Sequence, residues 1–198
     1  MRFQDELLEE FGTLPELGAV NVVARTQHTI TLSWDAPVLH GATLKAIHVY
    51  RDRHRVRTLP PDARRVRLSG LAAATTYELT VVFNTSAARL TSDVLRVTTH
   101  APDDFSGLRV AFSLFSVPEM NELKAIVAQL GGQWTDEFTP DNTHLICKAP
   151  AGARYEQARL WSIPAVGPEW LRDCLTRGRL PTAQQHYAER QEISAYFH

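Results

Sequence analysis

The hydrophobic period of this chain changes once, and that change limits what it can fold into. Between residues 17 and 99, apolar and polar residues alternate in short runs. From residue 107 onward, short apolar runs take turns with stretches whose apolar residues recur at i, i+3, i+4 and i+7. A period of two marks a half-buried strand and a period near 3.6 marks a helix face. The first part therefore reads as all-β and the second as alternating strand and helix. Segregation of this kind points to separate domains, and 198 residues hold two small ones. The polar stretch Ala-Pro-Asp-Asp-Phe-Ser-Gly at 101–107 separates them. The expected organisation is an amphipathic helix over 1–16, a β domain over 17–100, a linker over 101–106 and an α/β domain with a C-terminal tail over 107–198. So short a connector leaves little freedom, and the two domains are expected to pack as one rigid unit.

In the β part, Ile30, Leu32 and Trp34 alternate on one face. Leu44, Ala46, His48 and Tyr50 are assigned to one face of the next run, and Ile47 and Val49 to the other. Val66 and Leu68, residues 77–83 and residues 94–98 supply further strands. Turn residues at 35–37, 40–41, 60–62 and 69–70 separate them, and such spacing signals a β-sandwich. In the second part, residues 108–112 read as a strand. Leu123, Ile126, Val127 and Leu130 form a helix face that Gly131-Gly132 ends. A strand at 143–147, a helix at about 153–161 and a short strand at 163–166 follow, and a last helix starts at Pro168. Short strands and helices in turn make a small parallel sheet. At the chain start, Phe3, Leu7, Leu8 and Phe11 share one helical face. Near its end, Ile193, Tyr196 and Phe197 suggest a segment packing back on the body.

The net charge of −1 hides an uneven distribution. Residues 1–16 hold one Arg against five acids, residues 17–100 hold eleven Lys or Arg against five, and residues 101–198 hold nine against twelve. Seven arginines fall between Arg51 and Arg67, against Asp52 and Asp62 alone. Such a patch suits an acidic protein face, an anionic lipid surface or a phosphate backbone; equally, edge arginines protect a sheet from aggregation. Arg51, Arg53, Arg55 and Arg57 are the candidate contacts.

Composition excludes several classes. No apolar run approaches the roughly 20 residues of a membrane span. The acidic start has no apolar signal region. Cys147 and Cys174 are too few for a disulfide scaffold, which favours an intracellular compartment. Phosphate-loop, nucleophile-elbow and zinc-protease motifs are absent. No histidine stands at metal-ligand spacing. The expectation is therefore a non-enzymatic protein with no cofactor and no metal. His144, Cys147 and Cys174 read as core residues, and Glu119, Glu122, Asp136, Glu137 and Asp141 as a solvated face.

Trp34, Tyr50 and the segment from Leu71 to Tyr77 resemble a fibronectin type III (FN3) domain, in which a tyrosine corner closes a loop onto backbone. Gly131-Gly132, residues 143–147, Tyr155 with Ala158, residues 163–166, and Pro168-Glu-Trp170 with Cys174 resemble a BRCT domain. Members of that family that read phosphopeptides use a Ser or Thr followed by Gly after the first strand, and a Lys opening the second helix. Ser113 and Arg154 stand at the Ser and Lys positions here, with Leu114 in place of Gly. Arg holds phosphate well, whereas losing Gly removes a close backbone approach.

The order of an amphipathic helix, an FN3 domain and a BRCT domain is similar to that of the fungal exomer scaffold family, chitin-biosynthesis proteins of the trans-Golgi network. The likeness rests on residues 32–35, Leu44-Lys45, residues 49–51, residues 68–71, Thr99-His100 and residues 164–170. It implies a scaffold on the cytoplasmic face of the trans-Golgi network that binds an Arf-family GTPase in its GTP form, with peripheral membrane contact. It further implies tetratricopeptide-repeat cargo adaptors that capture chitin synthase for export. In the family, those adaptors sit on a segment before the helix, which this chain is expected to lack. The open alternative is a nuclear phosphopeptide adaptor of the DNA-damage type, working through Ser113 and Arg154. Nucleic acid is not an expected partner, because the basic stretch lacks interleaved aromatics.

Overall fold

The computed structural model describes residues 14–179. The helix expected over residues 2–11 and the apolar tail at 193–197 lie outside them. The chain divides into two compact units, one running to Arg25 and over Thr29–Thr99, the other comprising Thr26–His28 and the residues from His100 onward.

The first unit is a β-sandwich. Its strands are β1 (Val20–Arg25), β2 (Ile30–Trp34), β3 (Leu44–Arg51), β4 (His54–Leu59), β5 (Arg65–Leu68), β6 (Thr76–Thr85), β7 (Arg89–Thr91) and β8 (Leu95–Thr98). One sheet has the order β1-β2-β5. The other has the order β4-β3-β6-β7, with β8 also paired to β6, and every pairing is antiparallel. Alternation sends Ile30, Leu32 and Trp34 inward to meet Ile47, Val49, Leu79, Val81 and Phe83 from the opposite sheet. Trp34 meets Phe83 edge to face at 5.8 Å, and its indole N–H donates to the Ala63 carbonyl at 3.0 Å. Tyr77 forms the expected corner, its hydroxyl accepting the Ala72 N–H at 2.9 Å.

Leu44 departs from the sequence reading. It lies in the core with Ile47 and Val49, not on the face of His48 and Tyr50. A register shift between Leu44 and Ala46 is the cause, because one extra residue flips the alternation. Strands β1, β4 and β7 were not among the expected runs. A bulge between Val22 and Ala24 breaks the period of β1, and β7 has only three residues.

The second unit holds β9 (Arg109–Ser113), α1 (Val117–Gln129), β10 (Gln133–Trp134), β11 (His144–Cys147), α2 (Ala153–Leu160), β12 (Ala165–Val166) and α3 (Pro168–Arg177). The sheet is wholly parallel with order β10-β9-β11-β12. Helices α1 and α3 cover one face, packing Leu123, Val127, Trp170, Leu171 and Cys174 on Val110, Phe112 and Ile146. Helix α2 covers the other, packing Tyr155 and Ala158 on Ala111, Leu145 and Cys147. The double glycine ends α1 as expected and also admits a close backbone approach. Gly131 takes φ +78° beyond the end of α1, and a Cβ on Gly132 would come within 3.2 Å of Leu108. His144 is buried, bonded to the Thr143 hydroxyl at 3.1 Å and stacked on Trp170 at 4.6 Å. Cys147 and Cys174 form no disulfide, and burial pushes both thiols up to about 12.

Candidate functional site

Two places carry the sequence-derived candidates, one in each unit. The first is the β3–β4 hairpin. Asp52 and Arg53 join the strands with φ +49° and +68°, the left-handed pair that a two-residue hairpin turn requires. Asp tolerates this region better than most residues. Asp52 also ties the turn to β6. Its N–H donates to the Glu78 carbonyl at 2.8 Å, and its carboxylate accepts the Glu78 N–H at 3.0 Å. The Glu78 carboxylate in turn lies 3.0 Å from Arg96. Both acids nearest the hairpin are thus engaged.

The arginines divide into two groups. Arg51 is half-buried, its guanidinium 5.6 Å from the centroid of the Tyr77 ring, and Arg89 lies likewise over Tyr50 at 6.0 Å. These stacked cations are fixed in place. Arg53, Arg55 and Arg57 are exposed, and none forms an ion pair among the described residues. Arg57 donates only to the neighbouring Val56 carbonyl, at 3.3 Å. A bulge at Val56 sets Arg57 opposite Val49 and Arg55 opposite Tyr50 on the outermost strand of the sheet. Cationic side chains therefore run along an unpaired edge.

The second place is the end of β9. Ser113 is buried and pairs with Cys147 in the ladder. Leu114 follows with φ +68°, so the chain keeps the backbone conformation a glycine would adopt there, with a Leu side chain 54% exposed. Arg154 sits in the first turn of α2, and its guanidinium turns to the sheet. Nη1 donates to the Phe112 carbonyl at 2.6 Å and Nη2 to the Asp136 carbonyl at 2.8 Å. A cleft of about 290 Å³ lies beside it, lined by Phe112, Leu114, Phe115, Met120, Thr135, Asp136 and Arg154. Ser113 is not in that lining. Lys148, which follows the Ser113 partner, is held 2.6 Å from Glu119. The corner thus brings Arg154 to the residue before Ser113 but commits its fork to backbone. Its remaining wall is largely apolar, with the Asp136 carboxylate on the rim.

The sequence reading missed Asp52 as an anchor, both Arg–Tyr stacks and the capping role of Arg154. An Asp between two alternating runs was the only available signal. The stacks depend on cross-strand register, which the bulges set. The solvated face is partly paired, Glu119 with Lys148 and Asp136 with Lys124.

The two units are a fibronectin type III domain, whose family matches residues 13–99, and a BRCT domain, where the twin BRCT family matches residues 108–170. The chain is therefore an FN3–BRCT module. It is homologous across both domains to fungal proteins of cell fusion and chitin biosynthesis. It is 30% identical over 190 residues to the cell fusion protein cfr1 of Schizosaccharomyces pombe, covering 94% of this chain and 31% of that protein. It is 28% identical over 197 residues to the chitin biosynthesis protein CHS5 of Saccharomyces cerevisiae, covering 94% of this chain and 29% of that protein. The chain spans about a third of the length of these relatives. Among solved structures, Rad4 BRCT1,2 in complex with a Crb2 phosphopeptide matches at 32% identity over 42% of this chain and 45% of that one, with TM-score 0.39.

Proposed function

We propose that this chain is a non-enzymatic scaffold module of the exomer type, acting in the export of cargo such as chitin synthase from the cytoplasmic face of the trans-Golgi network. The observation that carries the reading is the likeness to CHS5 over 94% of the chain, which spans the FN3 and BRCT domains in one alignment. Shared single domains would support only a shared fold.

The module binds an Arf-family GTPase in its GTP form, and tetratricopeptide-repeat cargo adaptors join the same assembly. Its mechanism is recognition of a conformational state. The γ-phosphate orders the switch segments of a GTPase, and a surface that touches only the ordered form gains affinity for that form alone. That difference couples nucleotide state to recruitment with no chemistry in the scaffold. Arg51, Arg53, Arg55 and Arg57 supply the anionic-partner face of the module.

The test is binding of the purified chain to an Arf-family GTPase loaded in parallel with a non-hydrolysable GTP analogue and with GDP. Selective binding to the GTP form is expected. Equal binding, or none up to roughly 100 μM (about −5.5 kcal/mol), refutes the GTPase step. The phosphopeptide alternative has the weaker footing, because Arg154 is engaged with two carbonyls and Ser113 does not line the cleft. Hits above background in a phosphopeptide library, lost on Ser113→Ala, would reverse that order.

A further inference from the structure

We propose that the β3–β4 edge of the FN3 domain is an electrostatic contact for the anionic phospholipid headgroups of a membrane surface. The proposal deepens the scaffold reading, from which it takes only that the module works beside a membrane.

Four observations carry it. First, Arg53, Arg55 and Arg57 are exposed and unpaired among the described residues, and the nearby carboxylates of Asp52 and Glu78 are already engaged. Second, the three lie within five consecutive residues from the turn tip into the edge strand, Arg55 opposite Tyr50 and Arg57 opposite Val49, so the charge is gathered along one exposed edge rather than on one face of the sheet. Third, none of the three is stacked on a ring among the described residues, whereas Arg51 and Arg89 are held over tyrosine rings. Stereospecific recognition of a carboxylate or phosphate on a protein needs guanidinium forks held in place. Cations that no ring or carboxylate holds suit a diffuse negative potential, which fixes no geometry. Fourth, the charge has one sign. Here every charged side chain of β4 and its turn is cationic except Asp52, whose carboxylate is bonded to Glu78.

The fold explains why the arginines are displayed. The bulge at Val56 puts both Val56 and Arg57 opposite Val49, so Val56 packs against the core while Arg57 stays exposed at the rim. The left-handed Asp52–Arg53 turn places Arg53 at the tip. Contact of this kind is weak for each residue and adds with number.

The test is flotation of the whole chain with vesicles of phosphatidylcholine, with and without phosphatidylserine. Binding is expected only to the vesicles containing phosphatidylserine. It should be lost when ionic strength rises from about 0.1 M to about 1 M, as the screening length falls from about 10 Å to about 3 Å. The triple variant R53Q/R55Q/R57Q should bind about a hundredfold more weakly, near fivefold per arginine. A control, R159Q/R172Q/R177Q, removes the same charge from the BRCT helices and should stay within about twofold of wild type, since each of these arginines is already paired with a carboxylate, Glu156, Glu169 or Asp173. Unchanged melting temperatures show that both variants fold. The proposal is overturned if the wild type ignores phosphatidylserine, if neutral vesicles bind equally, if the two triple variants lose binding alike, or if R53Q/R55Q/R57Q binds vesicles as wild type does. It is also overturned if that variant loses lipid-free binding to the GTP-loaded GTPase, for the edge is then a protein interface. Failure of the wild type to bind that GTPase counts against the scaffold reading alone.

Discussion

The FN3 and BRCT domains of this chain place basic side chains differently at their candidate sites. In the sandwich, strands of up to ten residues let the ladders satisfy most of the backbone, and the cations of the β3–β4 edge are left to face outward. In the BRCT sheet, strands of two to five residues end almost as soon as they begin. Side chains must finish the work. Thr143 accepts the Arg109 N–H at 2.9 Å and donates to the Arg109 carbonyl at 3.1 Å. Asn142 accepts the Thr139 N–H and donates to the Thr135 hydroxyl at 2.7 Å. Arg154 closes the carbonyls of Phe112 and Asp136. A short parallel sheet draws a basic side chain inward because buried backbone groups must be paired. Along the β3–β4 edge of the antiparallel sheet Arg53, Arg55 and Arg57 stay exposed, although Arg25 and Arg64 of the same sandwich do donate to backbone carbonyls.

The comparison is tested most severely in the sandwich core. Phe83 is wholly buried against Trp34, and Phe83→Ala should cost about 3–5 kcal/mol, read as a shift in urea midpoint. A loss under about 1 kcal/mol would mean that the two sheets collapse into the gap, at odds with a close-packed interior.

Next in size is Arg154. Arg154→Met keeps much of the length and removes the fork, leaving the part-buried Phe112 carbonyl without its donor while water replaces the exposed bond to Asp136. The expected loss is about 1–3 kcal/mol, with Arg154→Lys recovering only part of it, since an ammonium cannot reproduce the planar fork. A change inside ±0.5 kcal/mol, roughly that of an ordinary surface substitution, would break the comparison. It would return Arg154 to the pool of side chains available to a ligand.

A smaller effect belongs to the tyrosine corner. Tyr77→Phe removes the single bond from the Ala72 N–H and leaves the ring beneath Arg51 in place. About 1 kcal/mol is expected, with no change in vesicle binding. Equal losses in Tyr77→Phe and Arg154→Met would show that the sandwich leans on a side-chain-to-backbone bond as much as the BRCT sheet does.

The corner was legible in the sequence, as were Trp34, the double glycine, the helix face of α1 and the start of α3 at Pro168. Each is a local pattern: a turn residue at a fixed offset, or apolar residues at a fixed period. What was not legible depends on a one-residue irregularity or on distance in the chain. Leu44 moved into the core through a bulge. The exposed Val22 and Val23 of β1 hid its period. The hairpin arginines could be found by counting charge, but not which were stacked and which were free, since Tyr77 lies 26 residues from Arg51. Arg154 was placed correctly on its helix. Its direction was hidden, because the carbonyls it closes sit 42 and 18 residues away.

The smallest expected effect concerns Glu119, and it extends the comparison to pH. At the start of α1 its carboxylate accepts from Lys148 at 2.6 Å, from the Ser116 N–H at 2.9 Å and from the Ser116 hydroxyl at 2.8 Å. Lys148 is the largest cause, followed by the Ser116 backbone, and together they lower the carboxyl from 4.5 to about 2. A folded value below the unfolded one means that the charged form is favoured by folding. The stabilisation is therefore complete above about pH 4.5 and fades as pH falls toward 2. Glu119→Gln should lower stability at neutral pH, flatten the slope between these limits, and meet the wild type near pH 2. The pair is exposed, so added salt should shrink the difference. The hairpin arginines have no carboxylate partner among the described residues, and R53Q/R55Q/R57Q should leave the acid slope unchanged. Parallel curves for wild type and Glu119→Gln would show that the carboxylate at the head of α1 is as free as those arginines, and that the BRCT domain does not hold its surface charges any more tightly than the sandwich does.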